Sequence, residues 1–340
     1  MAPGDVVAPV RCRSRRRSGR RSADVRVWSG FVAVAVSIQA VGGFRFVPPL
    51  SAQEPRVLVD SAFTPEVTDP KFDPRTGPRV LLDEAHHNLY SNVGYYRALS
   101  ALLDKDGYRV EVLGNPITST RLSDVDLVVI ANALPVPDQA ASDTLGPALT
   151  TEEVHALLAW VRGGGNLLLF VDHRPYAHAA APLLDALGLT FTDGYALDYQ
   201  TWDPLVFRRA DATLGGHPIT EGRNDGERVD SVATFDGDAF RATGREVVPL
   251  LRFGEGIDSF QPDRLWAIGD STPHIRVAGW LQGAAFTLGE GRVVVFGESG
   301  LAVAQLVGPN RRPRGMNAPV GRQNAQFLLN TVHWLTRVLP

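Results

Sequence analysis

Short apolar runs that stop abruptly at polar residues recur along this chain, and between them apolar positions return at helical spacing. Val80-Leu81-Leu82 runs straight into Asp83-Glu84-Ala85-His86-His87-Asn88. A short, continuously apolar run of this kind predicts a parallel strand buried on both faces. Residues 94–106 carry Tyr96, Leu99, Leu102 and Leu103 at helical spacing and end at Gly107, which predicts a helix. Strands are predicted over residues 109–113 and 126–131, the latter ending at Asn132. Thr150 with Glu153 forms a capping-box pattern ahead of Val154, Leu157, Leu158 and Val161, and Gly163-Gly164-Gly165 supplies the stop. Residues 166–171 make a further strand ending at Asp172-His173, and residues 179–187 a helix ended by Gly188. Alternation of this type predicts an α/β fold with a mostly parallel sheet and helices on both faces.

From about residue 193 to 270 the periodicity weakens. Short strands are expected at 246–253 and 264–268, within a β-rich insertion or lid. Residues 275–287 and 292–296 flank Gly289-Glu290-Gly291, which predicts a hairpin. The last strand runs into Gly297-Glu298-Ser299-Gly300. A basic loop (Arg311, Arg312, Arg314) and a closing helix over residues 323–338 follow.

The first fifty residues have a different composition. Eight arginines between Arg11 and Arg26 precede an apolar stretch from about Val27 to Gly43, and Leu50-Ser51-Ala52-Gln53 follows. A basic region, an apolar region and a small-residue site predict a signal peptide over residues 1–52, hence an exported protein, periplasmic or extracellular. Arg20-Arg21 is compatible with twin-arginine export, and an uncleaved anchor is the alternative. Nine of the 34 basic and two of the 37 acidic residues lie in this segment, so the remainder is net acidic by about ten. That disfavours nucleic acid as a partner, and membrane once the signal is removed. The only cysteine, Cys12, also lies there, leaving no thiolate nucleophile and no disulfide beyond it. Residues 53–77, rich in Pro, Asp and Thr, read as an extended arm packing on the domain, or a linker. The domain itself is expected over residues 78–338.

Three strands thus end in carboxylate, imidazole or amide groups. In open α/β sheets ligands bind outside the carboxyl ends of the strands. The expected ligand-binding set is Asp83, Glu84, His86, His87, Asn88, Asn132, Asp172, His173, Glu298 and Ser299, with Asp83, Glu84, His86 and Glu298 as catalytic candidates. No metal site is assigned, because Glu84-Ala85-His86 is not HExxH and the adjacent His86 and His87 point opposite ways in extended chain. No cofactor is implied: the triple glycine precedes a strand instead of opening a helix, so it fails as a phosphate loop. Gly297-Glu298-Ser299-Gly300-Leu301 lacks the last glycine of a nucleophile elbow.

The run Leu157-Leu158-Ala159-Trp160-Val161-Arg162-Gly163-Gly164-Gly165-Asn166-Leu167-Leu168-Leu169 resembles the helix, glycine-rich turn and strand of class I glutamine amidotransferase-like domains, including the ThuA-like branch. Residues 80–88, Asp106-Gly107-Tyr108-Arg109-Val110, residues 291–298 and 324–330 are similar to a family of secreted bacterial proteins of unknown function with that fold. The resemblance spans residues 78–190 and 275–338 and implies a flavodoxin-like three-layer sandwich. It also implies a catalytic cysteine after a central strand, where this chain has Val171-Asp172-His173. Glutamine hydrolysis by that mechanism is therefore excluded by composition. The expected function is binding of a small polar ligand, a carbohydrate or cell-wall fragment, at the C-terminal edge of the sheet. The motivating aromatics are Tyr195, Tyr199 and Trp202, read as exposed. The alternatives are a metal-assisted or carboxylate-based hydrolase, and an envelope protein-interaction module using the Pro-rich arm.

Overall fold

The computed structural model describes residues 57–88 and 94–340. The expected signal peptide, Cys12 and the start of the arm lie outside the described residues. Among the described residues, no helix is long and apolar enough to cross a membrane.

The core is a nine-stranded mixed sheet. Five strands run parallel, in the spatial order Arg109–Leu113, Arg79–Asp83, Leu127–Ala131, Asn166–Phe170, Gly291–Phe296. Side-chain alternation along these strands builds two cores. Val80, Leu82, Val129, Phe170 and Phe296 face the helices Arg97–Lys105 and Asn324–Leu335. Leu81, Val128, Ile130, Leu169 and Val295 face the helices Thr151–Arg162 and Tyr176–Ala186. Leu127–Ala131 and Asn166–Phe170 are buried at every position and read as nearly unbroken apolar runs, whereas the edge strand Arg109–Leu113 carries exposed residues. The capping box is present as expected: Thr150 Oγ1 accepts from the Glu153 N–H, and Glu153 accepts from the Thr150 N–H.

Beyond Gly291–Phe296 the sheet becomes antiparallel through Leu281–Leu288, Phe240–Ala242, Leu189–Phe191 and Val248–Arg252. Three small antiparallel sheets accompany it. Four of the described strand pairings are parallel and nine antiparallel. The expectation of a mostly parallel sheet therefore holds only for the five-strand core. In the large sheet the tight Gly289-Glu290 hairpin starts the antiparallel half, and the further strands join it over longer connections.

Other expectations are corrected likewise. Residues 264–268 form no strand: the Ala267 N–H bonds the Arg264 carbonyl and Trp266 has φ 62°, a turn geometry. Residues 275–287 are not one strand, because a turn at Gly279 (φ 80°) separates His274–Arg276 from Leu281–Leu288. The basic loop is a strand, Arg312–Gly315, paired with Ala304–Val307. The other edge of Ala304–Val307 takes Val57–Val59, and Phe63, Val67 and Phe72 pack on the core, so the described part of the arm belongs to the fold. Residues 193–270 are not a separate block: Phe240–Ala242 and Val248–Arg252 are strands of the large sheet.

The Gly289-Glu290-Gly291 turn closes against the end of helix Thr151–Arg162. A Cβ on Gly291 would meet the Gly165 carbonyl oxygen at 2.1 Å and that of Val161 at 2.2 Å, both rigid backbone. Gly291→Ala is expected to lower stability by ~3 kcal/mol. Gly216→Ala, whose Cβ meets nothing within 4 Å, should stay within about 1 kcal/mol of the parent. Urea unfolding of both variants tests this; equal midpoints would contradict it.

Candidate functional site

Because the core strands are parallel, Asp83, Asn132, Asp172 and Glu298 all arrive at one edge of the sheet. They form two separate polar groups there, not one.

The first group is centred on His86. Its Nδ1 lies 2.9 and 3.0 Å from the two Asp83 carboxylate oxygens, and its Nε2 lies 2.9 Å from Glu153 Oε1. All three side chains are buried. Burial alone would lower the imidazole's proton affinity, but hydrogen bonds and charge from Asp83 and Glu153 outweigh it and raise its pKa to about 9. His86 is therefore an imidazolium with both N–H groups committed. Glu153 Oε1 also accepts from the Ile117 N–H at 2.9 Å, and Oε2 takes the Thr150 N–H and hydroxyl. Burial raises the Glu153 pKa, yet these donors and His86 hold it below the ordinary value. Asn88 Nδ2 donates to the Ala131 carbonyl at 2.8 Å and, weakly, to Asp83. This cluster ties the loop after the first core strand to the N-terminus of helix Thr151–Arg162. It has no free base to offer a substrate. His87 is exposed at φ 45°, and Glu84 is half-buried with its N–H on the Leu113 carbonyl.

The second group is Asn132, Asp172, His173, Glu298 and Ser299. Ser299 Oγ donates to Asp172 Oδ2 at 2.7 Å and accepts from Asn132 Nδ2 at 2.9 Å, while the Asp172 N–H donates to Asn132 Oδ1 at 3.0 Å. Asn132 sits at φ 53°, a conformation Asn tolerates better than most residues. The ring of bonds holds Ser299 without any imidazole contact. His173 Nδ1 donates to the Arg174 carbonyl at 2.7 Å, which fixes the tautomer and leaves Nε2 as an acceptor. Among the described residues Nε2 makes no hydrogen bond. The His173 ring stacks on Tyr195 at 4.7 Å and meets Trp266 edge-on at 4.4 Å. Glu298 accepts from the Leu301 and Phe235 N–H groups. Burial, then the charge of Asp172, raises its pKa well above the ordinary carboxylate value.

Tyr195 is buried, contrary to its reading as exposed, because it packs under His173 and Trp266; Trp202 is 52% exposed and Tyr199 intermediate. Sequence reasoning missed Glu153 as the partner of His86, since its capping pattern already explained it. It also missed Trp266, and it missed Asp236, which pairs with Arg314 at 2.6 Å and carries charge toward both Glu298 and His173. No local spacing marks those residues. Among the described residues, no three His, Cys, Asp or Glu side chains are placed to hold a metal ion.

No protein-family model matches the chain. No curated protein matches its sequence. Solved structures do match. The N-terminal domain of mmIFT52 is 13% identical, with TM-score 0.53, over 76% of this chain and 97% of that one; this likeness shows the α/β fold alone. A ThuA-like protein from Bacteroides uniformis is 12% identical, with TM-score 0.42, over 80% of this chain and 94% of its own. The cytoplasmic protein STM1381 from Salmonella typhimurium is 13% identical, with TM-score 0.46, over 76% and 98%.

The Asp83–His86–Glu153 tie has a pH signature. Its folded-state pKa is raised, so its contribution is complete below the unfolded value near 6.5 and disappears as pH rises through about 9. Stability is expected to fall by on the order of 3 kcal/mol across that window. His86→Gln should be less stable at pH 6 and should lose less stability than the parent across the window, the residual slope coming from Asp238. Chemical denaturation at pH 6, 8 and 10 reads this, and parallel pH profiles for the two proteins would refute it.

Proposed function

We propose that this chain is an exported domain of the amidotransferase-like, flavodoxin-like type, related to the ThuA-like branch, that binds a small polar ligand without hydrolysing glutamine. The order of the five parallel strands, with the first strand second from the edge, supports the flavodoxin-like assignment. The ligand class that fits is a carbohydrate or cell-wall fragment. The observation that carries the reading is His173: its Nε2 acceptor is uncommitted at the carboxyl end of a central strand, and its ring packs with Tyr195 and Trp266, which also touch each other. Polar groups that fix orientation beside aromatic walls are the usual make-up of small-molecule sites. Trp202, exposed and in contact with Tyr199 at 5.8 Å, supplies a flat face from the same segment of chain.

A hydrolase is less favoured. Ser299 is bonded to Asp172 and Asn132, His86 is held as a cation, and the Glu298 oxygens are taken by the Leu301 and Phe235 N–H groups. The envelope-module reading is also weaker, because the described arm is already paired and packed on the domain.

Calorimetry of the full chain against N-acetylglucosamine oligomers, other sugars and muropeptides tests the proposal. Saturable heats are expected with at least one, weakened roughly tenfold or more by His173→Ala and by Trp202→Ala, and retained in His86→Gln. An absence of saturable heat across the panel, or heats indifferent to His173→Ala, would remove it.

A further inference from the structure

The large sheet forks at its antiparallel end. Leu281–Leu288 pairs with Val248–Arg252 from Ala285 to Leu281, whereas Phe240–Ala242 pairs with it at Leu281 alone and then continues the sheet to Leu189–Phe191. Between the two prongs, and under the link that joins them, is a cavity of about 750 Å³. That volume falls among those of small-molecule sites. The cavity shares no residue with the strand-end cluster.

Three guanidinium groups line it: Arg241 from one prong, Arg245 from the link and Arg252 from the other prong. Among the described residues none of the three side chains makes a hydrogen bond or an ion pair. Half-buried Arg174, Arg209 and Arg223 pair with Asp143, Glu221 and Glu227, whereas half-buried Arg245 does not, and Arg241 and Arg252 are exposed. Here two of the three lie on aromatic rings instead. Arg241 is 4.0 Å from the centre of Trp280 and Arg245 is 4.7 Å from that of Phe286. Stacking positions a guanidinium and leaves its in-plane N–H groups free to donate. Arg245 Nε is fully buried without a partner. Burial and the charge of Arg162 also push its pKa below the ordinary value. A partly buried charge left uncompensated costs free energy that an anion bound beside the guanidinium would recover. Glu246, the acid among the lining residues, pairs with none of the three. His217 adds a neutral wall, since burial and then Arg292 lower its pKa to about 4.

We propose that the fork cavity binds a small organic oxyanion, phosphate- or carboxylate-bearing, held by Arg241, Arg245 and Arg252 with its apolar body against Val247, Pro249 and Trp334. Guanidinium forks match the oxygen geometry of both groups. Nothing in this proposal depends on the strand-end site.

Isothermal calorimetry of the full chain in low-salt buffer, with pyrophosphate and citrate as probes, tests it. Saturable binding of at least one probe is expected. Arg245→Gln and Arg252→Gln should each raise Kd roughly tenfold or more, while Arg121→Gln, remote from the cavity, should leave Kd unchanged. Pyrophosphate alone assigns a phosphoryl ligand, citrate alone a carboxylate, and both a general oxyanion site; each supports the proposal. Circular dichroism checks folding, and if Arg245→Gln does not fold, the exposed Arg252 decides. Absence of saturable binding for both probes, or equal weakening by Arg121→Gln, overturns it.

Discussion

A strand covered on both faces can carry few polar side chains along its length, and this constraint organises the molecule. The central strands Leu127–Ala131 and Asn166–Phe170 are buried throughout, between helices on each face. Polar chemistry is therefore displaced to the strand ends, where Asn132, Asp172 and Glu298 emerge in register. Even there the groups stay buried, so nearly every one needs a partner. Much of the polar cluster is consequently occupied in satisfying itself, and His173 stands out because one of its nitrogens is not.

Electrostatics divides that edge by protonation state. His86 is positive because two carboxylates face it. Burial and Asp172 oppose the charge of Glu298 and raise its pKa, and Asp238, desolvated beside Thr192, is raised to about 8. Similar residue types thus end in different charge states through the identity of their neighbours, which explains why a tally of acids and imidazoles overstates the chemistry available. One buried imidazolium between two carboxylates is a tie, whereas, among the described residues, the stacked His173 ring leaves one nitrogen outside any hydrogen bond.

The antiparallel half of the sheet follows a different logic. Its strands are short, joined by turns with positive-φ residues such as Gly244 and Gly279, and they diverge instead of closing a second flat layer. The divergence leaves a cavity, and the chain lines it with unpaired arginines held by aromatic rings. The fork cavity and the strand-end polar cluster are thus different places, built by the two halves of one sheet.

Local pattern determined the parallel core. Apolar runs of strand length, helical spacing, the Thr150–Glu153 box and the glycine stops are short-range signals, and the structure keeps them with shifts of a few residues. The same pattern placed Asp83, Asn132, Asp172 and Glu298 at one edge, because parallel strands align their ends. Only tertiary structure decided the rest. Glu153 meets His86 across 67 residues, Trp266 meets His173 across most of the 193–270 segment, and the three arginines meet where two strands part. Partners so far apart in sequence have no periodicity to announce them. The ionic state of each buried group is set by those partners, so it too became legible only once the chain had folded.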